Sequence, residues 1–221
     1  HAFFGGVLML LRKLMGIFCA TLILGSATFA MAGVPDLQLS IATGPAQACV
    51  LYSLPNGNGS SFSDAVAVVG FGTVDATINL TLNDGLGVPI NQFPFEDMWL
   101  ESSDGGLVAC TGGTTADQST DAAGLTFWNA PLAAGGQTTS TADLTVVMIN
   151  GAALTSNAGL PIAHNSADIN ADGQVNLSDV QLFAADFYAV TYAFKSDLAF
   201  DAAVNLSDIV PLAQAMGGTC P

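Results

Sequence analysis

The chain has 221 residues, of which 51% are apolar and 10% are charged, and its formal net charge at pH 7 is −15. Two of its three basic residues, Arg12 and Lys13, stand near the start, whereas all 18 acidic residues follow Gly33. Because contacts to phosphate groups require Lys and Arg, this composition argues against nucleic acid and against anionic membrane surfaces as partners.

The first predicted element is an export leader at residues 1–32. An apolar run follows Arg12 and Lys13, and Ala30-Met31-Ala32 fits a small-residue cleavage site. Cleavage there would start the mature chain at Gly33 and predicts a secreted or cell-surface protein. The alternative is a retained anchor helix, because the run is just long enough to span a bilayer. Membrane contact is therefore expected only through an uncleaved leader.

Residues 33–163 have the pattern of an all-β region. Its clearest strand is Val74–Leu82, where apolar and polar residues alternate throughout, which predicts one buried and one solvent-facing side. Further short strands are predicted at 37–41, 47–54, 98–101, 107–110, 125–128 and 144–149. Short strands separated by turn-rich segments, with no helical period, favour a β-sandwich.

Two stretches of this region are similar to invasin-type bacterial immunoglobulin-like repeats. One is the strand Thr77–Leu82 with the following Asn83–Ile90, and the other is Thr120–Phe127. The resemblance implies an immunoglobulin-like sandwich that serves as a spacer, adhesion or assembly module and not as a catalyst.

Residues 168–179 have the spacing of a calcium-binding loop. Oxygen-bearing side chains occupy its first, third, fifth, ninth and twelfth positions, and a glycine that permits a sharp turn occupies the sixth. Ca²⁺ takes six to eight oxygen ligands, which such a loop wraps around one point. The predicted ligands are Asp168, Asn170, Asp172, Asn176 and Asp179, with a backbone carbonyl from Gln174. The alternative is an Asx-rich surface turn.

The motif recurs 29 residues later, and its run Val-Asn-Leu-Ser-Asp is repeated unchanged. The predicted ligands of this second loop are Asp197, Asp201, Asn205 and Asp208, with a carbonyl from Ala203. Ala199 replaces the third-position ligand, and Ala202 replaces the glycine at a cost of about 1 kcal/mol or more if its φ is positive. We therefore expect a weaker second site, or a loop that keeps its shape without a metal.

Each loop leads into an apolar helical pattern, and Pro211 removes one backbone donor from the second helix. The apolar positions are Val180, Phe183 and Phe187 in the first helix and Ile209, Leu212 and Met216 in the second. This duplicated arrangement resembles a dockerin domain. The resemblance implies that Ca²⁺ orders the helices and that the ordered domain docks onto a cohesin partner. It also implies that loop positions ten and eleven take part in docking; these are Leu177 and Ser178, and Leu206 and Ser207.

The predicted fold class is thus mainly β with a small α domain. An immunoglobulin-like β-sandwich at 33–163 follows the leader, and a two-helix, duplicated calcium-loop module of dockerin or EF-hand-like type occupies 164–221. His164, at this boundary, is interpreted as a solvated linker residue.

Three cysteines follow the leader, and export would place them in an oxidising compartment. A disulfide between Cys49 and Cys110 is predicted, which leaves Cys220 free or bonded to another chain; three cysteines allow three single bridges. Asn58 and Asn79 begin N-glycosylation patterns. Loops rich in Thr and Ser at 111–120 and 137–141 permit O-glycosylation, so glycans are a further predicted feature.

Little in the chain after the leader supports catalysis. It contains one histidine, one lysine and no arginine, and it has no nucleophile elbow, phosphate loop or zinc-type cluster. Glu96, Asp97 and Glu101 stand near Trp99, and paired acids beside an aromatic residue could serve glycoside hydrolysis. Solvated acids at a strand entry, beside one core tryptophan, are the commoner explanation of this pattern.

The sequence therefore favours a non-catalytic, calcium-binding structural protein, such as a subunit of a surface filament or layer that assembles with its own copies. A dockerin-bearing accessory protein that docks onto a separate cohesin scaffold stays open beside it, because the sequence does not decide between the two. A carbohydrate-active module delivered by such a dockerin is less favoured, because the second loop is altered and the sandwich is small.

Overall fold

The structure is a computed structural model that describes residues 33–221, except 71, 140–144 and 190. The predicted leader, Leu144 and part of the 137–141 loop lie outside the described residues. No helix among the described residues is long and apolar enough to cross a membrane.

The described chain is mainly β, as the sequence predicts, with two short α-helices. The strands are β1 (Ile41–Thr43), β2 (Cys49–Ser53), β3 (Ala65–Ala67), β4 (Thr73–Val74), β5 (Ile78–Thr81), β6 (Met98–Ser102), β7 (Leu107–Ala109), β8 (Leu125–Trp128), β9 (Ala134–Gly136), β10 (Thr145–Ile149), β11 (Ala152–Ala153) and β12 (Ile162–Ser166). The helices are α1 (Leu177–Phe187) and α2 (Leu206–Ala215). Short 3₁₀ turns lie at Phe62–Asp64, Phe95–Asp97 and Phe194–Ser196.

The strands form four small sheets. Two are antiparallel and three-stranded, with orders β1-β5-β8 and β11-β10-β6, and β7 pairs with β9. The fourth has the order β12-β2-β3-β4, in which β12 runs parallel to β2 and the other neighbours are antiparallel. Because β12 comes immediately before the first candidate loop, this parallel pairing fixes where that loop begins.

The long strand predicted at Val74–Leu82 divides into β4 and β5, which belong to different sheets. The division occurs at Asp75, whose carboxylate accepts hydrogen bonds from the backbone N–H and the hydroxyl of Thr77 at 2.9 and 2.6 Å. The alternation still predicts burial correctly, because its apolar side chains from 76 to 82 are all fully buried. A local Asx turn thus redirects the chain from one sheet to the next without changing its buried side.

Two apolar clusters form the core. The larger one lies among the sheets and includes the fully buried Trp128, Phe62 and Met98. The smaller one joins the two candidate loops and helices to the end of β2. It contains Leu54, Ala167, Ile169, Val175, Phe183, Leu198, Leu212 and Ala215. Ile169 and Leu198 occupy equivalent repeat positions, as do Phe183 and Leu212, and all four are 4% exposed.

The helical stripes pack only in part as predicted. Phe183 and Leu212 are buried, and Val180 and Phe187 pack against the smaller cluster. Ile209 and Met216 are instead 42% and 41% exposed, so their predicted core role is wrong. The second repeat therefore buries less of its helix than the first.

The interpretation of His164 as a solvated linker residue is also wrong. His164 lies in the interior strand pairing of β12 with β2 and is fully buried. Its Nε2 lies 2.7 Å from the Thr145 hydroxyl oxygen, and burial lowers its pKa to about 4 although the charge of Asp104 opposes this shift. The predicted boundary between 163 and 164 therefore falls within a strand.

The predicted disulfide between Cys49 and Cys110 is wrong as well. Cys110 is bonded to Cys220, with 5.5 Å between their Cα atoms, and Cys49 is a buried free thiol. The side chain of Cys49 packs in the larger core, and burial raises its pKa to about 11. Cys220 reaches Cys110 because the C-terminal segment pairs with the first candidate loop, a long-range contact that cysteine spacing does not encode.

Candidate calcium loops

The first loop, residues 168–179, is organised around the carboxylate of Asp168, which is fully buried. Its Oδ1 accepts the Asp172 N–H at 3.1 Å and its Oδ2 accepts the Gly173 N–H at 2.9 Å. These bonds draw loop positions five and six around position one. The backbone turns there with a φ of +82° at Gly173, a conformation that glycine adopts without strain.

Asp179 closes the other end of the first loop and is also fully buried. Its two oxygens accept the N–H groups of Asn170 and Asn176 at 3.1 and 2.9 Å. Asn176 caps α1, since its side chain accepts the Ser178 N–H at 2.8 Å, and Asp179 completes a capping box. The twelfth loop position thus connects the loop to the start of its helix.

The second loop, residues 197–208, repeats this hydrogen-bond pattern. Six hydrogen bonds from a backbone N–H to a side-chain oxygen recur at equivalent positions of the two loops, with lengths of 2.8–3.1 Å. In the first loop they run, donor to acceptor, from 170 to 179, 172 to 168, 173 to 168, 174 to 172, 176 to 179 and 178 to 176. In the second loop they run from 199 to 208, 201 to 197, 202 to 197, 203 to 201, 205 to 208 and 207 to 205. The predicted sequence duplication is therefore a duplication of local structure.

The second loop keeps its shape despite the lost glycine. Ala171 and Phe200 occupy the fourth position with φ of +60° and +56°, and Ala202 turns at the sixth with φ of +64°. For an alanine this left-handed conformation costs about 1–2 kcal/mol. The loop geometry has thus been retained in the second repeat at an energetic cost.

The two loops differ in what surrounds their carboxylates. In the first, the Asp168 carboxylate accepts from backbone N–H groups, and the Asn170 amide donates to Asp172 Oδ2 at 3.0 Å. In the second, the Tyr192 hydroxyl also donates to Asp197 Oδ2 at 2.8 Å. The Ser207 hydroxyl and the Asn205 amide both donate to Asp201 Oδ2, each at 3.0 Å. Side-chain donors thus satisfy much of the second loop's negative charge.

Buried like charges set the electrostatics of the first loop. Burial raises the pKa of Asp168 to about 6, and the charges of Asp179 and Asp172 add to the rise while the loop N–H groups oppose it. Burial likewise raises the pKa of Asp197. Among the described residues, an ion pair joins Lys195 to Asp186 at 3.3 Å and involves none of the predicted ligands of either loop. Buried carboxylates without a cation are unfavourable, so a bound dication would relieve this repulsion.

The residues of the first loop fit Ca²⁺ in donor chemistry, since they supply carboxylate, amide and carbonyl oxygens alone. Within the described ranges, no group of three or more His, Cys, Asp or Glu side chains is arranged to hold a metal ion. Asp168 and Asp179 are buried, while Asn170 and Asp172 are linked by an Asn170 amide bond to Asp172 Oδ2 at 3.0 Å. Binding would therefore require these side chains to rearrange on a backbone whose hydrogen bonds already form the loop.

The residues predicted to dock a partner lie at the solvent-facing starts of the helices. Leu177 and Leu206 open α1 and α2 and are each 70% exposed, and Ser178 and Ser207 are also exposed. The two repeats therefore present the same Leu-Ser pair to solvent in the same local setting.

The first loop is attached to the sheets by contacts that the sequence analysis did not anticipate. The Gly136 N–H donates to the Asp168 carbonyl at 2.9 Å, and a Cβ on Gly135 would collide with the Asp168 carboxylate. The Cys220 N–H donates to the Gly173 carbonyl at 2.9 Å, beside the disulfide. The consecutive glycines at 135 and 136 could have indicated this contact, because glycine within a strand often marks a site where another part of the chain approaches the backbone closely.

The acids considered for glycoside hydrolysis remain at the surface. Glu101 Oε1 accepts the Trp99 indole N–H at 2.8 Å, and Glu96, Asp97 and Glu101 are all exposed. Trp128 is fully buried and donates to the Thr114 carbonyl at 3.1 Å, which makes it a core residue.

Comparisons of the chain with family models, with curated proteins and with solved structures found no match.

Proposed function

We propose that this chain is an exported, non-catalytic structural protein whose C-terminal loops are ordered by Ca²⁺. In this proposal the sheets form an immunoglobulin-like building block and residues 164–221 form a dockerin-like module. Asp168, Asn170, Asp172, Asn176 and Asp179 would hold the ion, with the Gln174 carbonyl. The bound ion supplies positive charge and cross-links the loop; it performs no reaction.

The observation that carries the proposal is the full burial of both Asp168 and Asp179, where the charge of Asp179 adds to the rise in the pKa of Asp168. Within the part of the chain that the structure describes, neither carboxylate has a cationic partner. A calcium ion would neutralise them and connect the sheet contact at Gly136 to the start of α1. The Cys110–Cys220 bond supports export, since disulfides persist in oxidising compartments.

Assembly is proposed over independent docking because the module is continuous with the sheets. Asn165 in β12 is fully buried, and its amide donates to the carbonyls of Phe194 and Asp197 at 2.7 and 3.1 Å. Together with the disulfide, these contacts hold the module on its own sheets, so its remaining exposed face is available to a neighbouring copy.

Electron microscopy of residues 33–221, with Ca²⁺ and then with chelator, tests the assembly proposal. We expect polymers with Ca²⁺ that disperse when it is removed. Monomers under both conditions would contradict assembly.

The second candidate function is docking onto a separate cohesin-like scaffold, which is favoured by the equal exposure of Leu177 and Leu206. If two equivalent docking orientations exist, Leu177→Ser or Leu206→Ser alone would leave binding to a purified cohesin domain nearly intact, and the double variant would abolish it. No binding by the calcium-loaded monomer would exclude this candidate.

A further inference from the structure

A cleft of about 250 Å³ opens between the β2–β3 region and the segment that leads into the second loop. Val50 and Val68 contribute to one wall, and the opposite wall contains Tyr192, Phe194 and Phe200. The volume is at the small end for a ligand pocket, so it suits one side chain better than a whole metabolite.

Asp197 is the charged residue among those lining this cleft. Its carboxylate is held in place by the Tyr192 hydroxyl at 2.8 Å and by the Ala202 N–H at 3.0 Å. Adjoining recesses contain Asp201 beside Phe200 and Asp186 beside Tyr192. Because Asp186 is paired with Lys195 at 3.3 Å, the unbalanced negative charge at the cleft comes from Asp197 and Asp201. The cleft therefore combines apolar walls with negative charge.

We propose that this cleft binds the side chain of a lysine or arginine from another polypeptide. The methylene stem of such a side chain would pack against Val50 and Val68. Its cationic end would meet Asp197 and the neighbouring aromatic rings, which attract cations through their π faces. An uncharged apolar side chain would leave Asp197 without a counter-charge.

The occupant is expected to come from a different protein and not from a second copy of this chain. From Gly33 onward the chain has a single basic residue besides His164, Lys195, and its ammonium group is paired with Asp186 at 3.3 Å. A neighbouring copy would bring mainly further negative charge. This proposal does not depend on calcium binding at the first loop.

The test is an NMR titration of ¹⁵N-labelled residues 33–221, saturated with Ca²⁺, with three capped amino acids: Nα-acetyl methylamides of lysine, arginine and norleucine. We expect the cationic probes to shift the amide signals of Val68, Phe200 and Ala202 with millimolar affinity. Norleucine, which has the lysine stem without the charge, should bind at least tenfold more weakly. Equal binding of norleucine, or no shift at these amides, would overturn the proposal.

Two substitutions of equal charge separate a specific site from general attraction to an acidic protein. Asp197→Asn should weaken the lysine probe about tenfold, whereas Glu101→Gln on the β6 surface should leave it unchanged. Val68→Gln changes the cleft wall and leaves the second loop intact, so it should weaken binding of the lysine and norleucine probes alike. This variant keeps the test decisive if Asp197→Asn disturbs folding. Equal weakening by Glu101→Gln would contradict a basic side-chain site.

Discussion

At the residue scale, the sixth position of the two loops makes a matched comparison. Gly173 and Ala202 both adopt positive φ and both donate an N–H to the first carboxylate of their loop. A Cβ at Gly173 would lie 3.1 Å from Cys220 Sγ, whereas Ala202 is exposed. The same side chain is thus accommodated in one repeat and would crowd the Cys220 sulfur in the other.

Ala202→Gly is expected to raise the free energy of unfolding by about 0.5–1 kcal/mol, because relief of left-handed strain exceeds the extra entropy of glycine in the unfolded chain. Gly173→Ala should lower it by at least about 1 kcal/mol. Chemical denaturation in chelator, which removes any contribution from metal, measures both. A shift of the same sign in both variants would contradict this account.

His164 predicts a specific acid sensitivity. Burial lowers its pKa from 6.5 to about 4, so the unfolded chain binds the proton more readily. The stability it contributes is complete above pH 6.5 and is lost as the pH falls to 4, by about 3 kcal/mol in all. The His164→Gln variant should lack this loss when unfolding free energies are compared across that range.

Other groups do not obscure the comparison. Because the pKa of Asp168 is raised to about 6, its effect on the unfolding free energy has the opposite sign to that of His164 and is the same in wild type and in His164→Gln. The pKa of Asp104 is lowered to about 2, so this group titrates below the pH range compared. Parallel pH profiles of wild type and His164→Gln would therefore show that the histidine is not buried as described.

At the element scale, local patterns predicted more than long-range pairings. The alternation at 74–82 gave the buried side correctly, and the 29-residue repeat gave both loops and both helices. The alternation did not reveal that the chain passes from one sheet to another at Asp75, because an Asx turn interrupts the strand without interrupting the alternation. β12 was missed because its five residues are all buried and so do not alternate.

Residues brought in from distant parts of the chain were also missed. Tyr192 reaches the second loop from outside it, and Cys220 meets Cys110 across 110 residues of sequence. Neither contact follows from spacing within a motif. The sequence therefore predicted that the two loops repeat each other, but not which groups surround them.

The disulfide is expected to be the main covalent support of this arrangement. Because it closes a loop of 110 residues, the double variant Cys110→Ser with Cys220→Ser should lose about 2–4 kcal/mol of unfolding free energy. Denaturation curves compare it with wild type. Thiol alkylation of unfolded, unreduced residues 33–221 should label Cys49 alone, and labelling of Cys220 would contradict the assigned bond.

At the scale of the whole molecule, the described chain joins a β body to a duplicated loop-helix unit through several kinds of contact. These are the parallel β12–β2 pairing, the buried amide of Asn165, the smaller apolar cluster and the disulfide. Under the proposed function, a calcium ion at the first loop would stabilise the junction as well as the loop, and its removal would loosen the surface proposed to bind a neighbouring copy.

Calcium titration by calorimetry of residues 33–221, with Asp168→Asn and Asp197→Asn as matched variants, tests the central claim most directly. The account predicts one dominant calcium site in the wild-type protein. This site should be lost in Asp168→Asn and retained in Asp197→Asn, because Asp197 belongs to the second loop and already accepts a hydrogen bond from Tyr192. Folding of each variant is checked by thermal unfolding in chelator. Absence of calcium binding by the wild-type protein, or equal loss of binding in the two variants, would contradict the account.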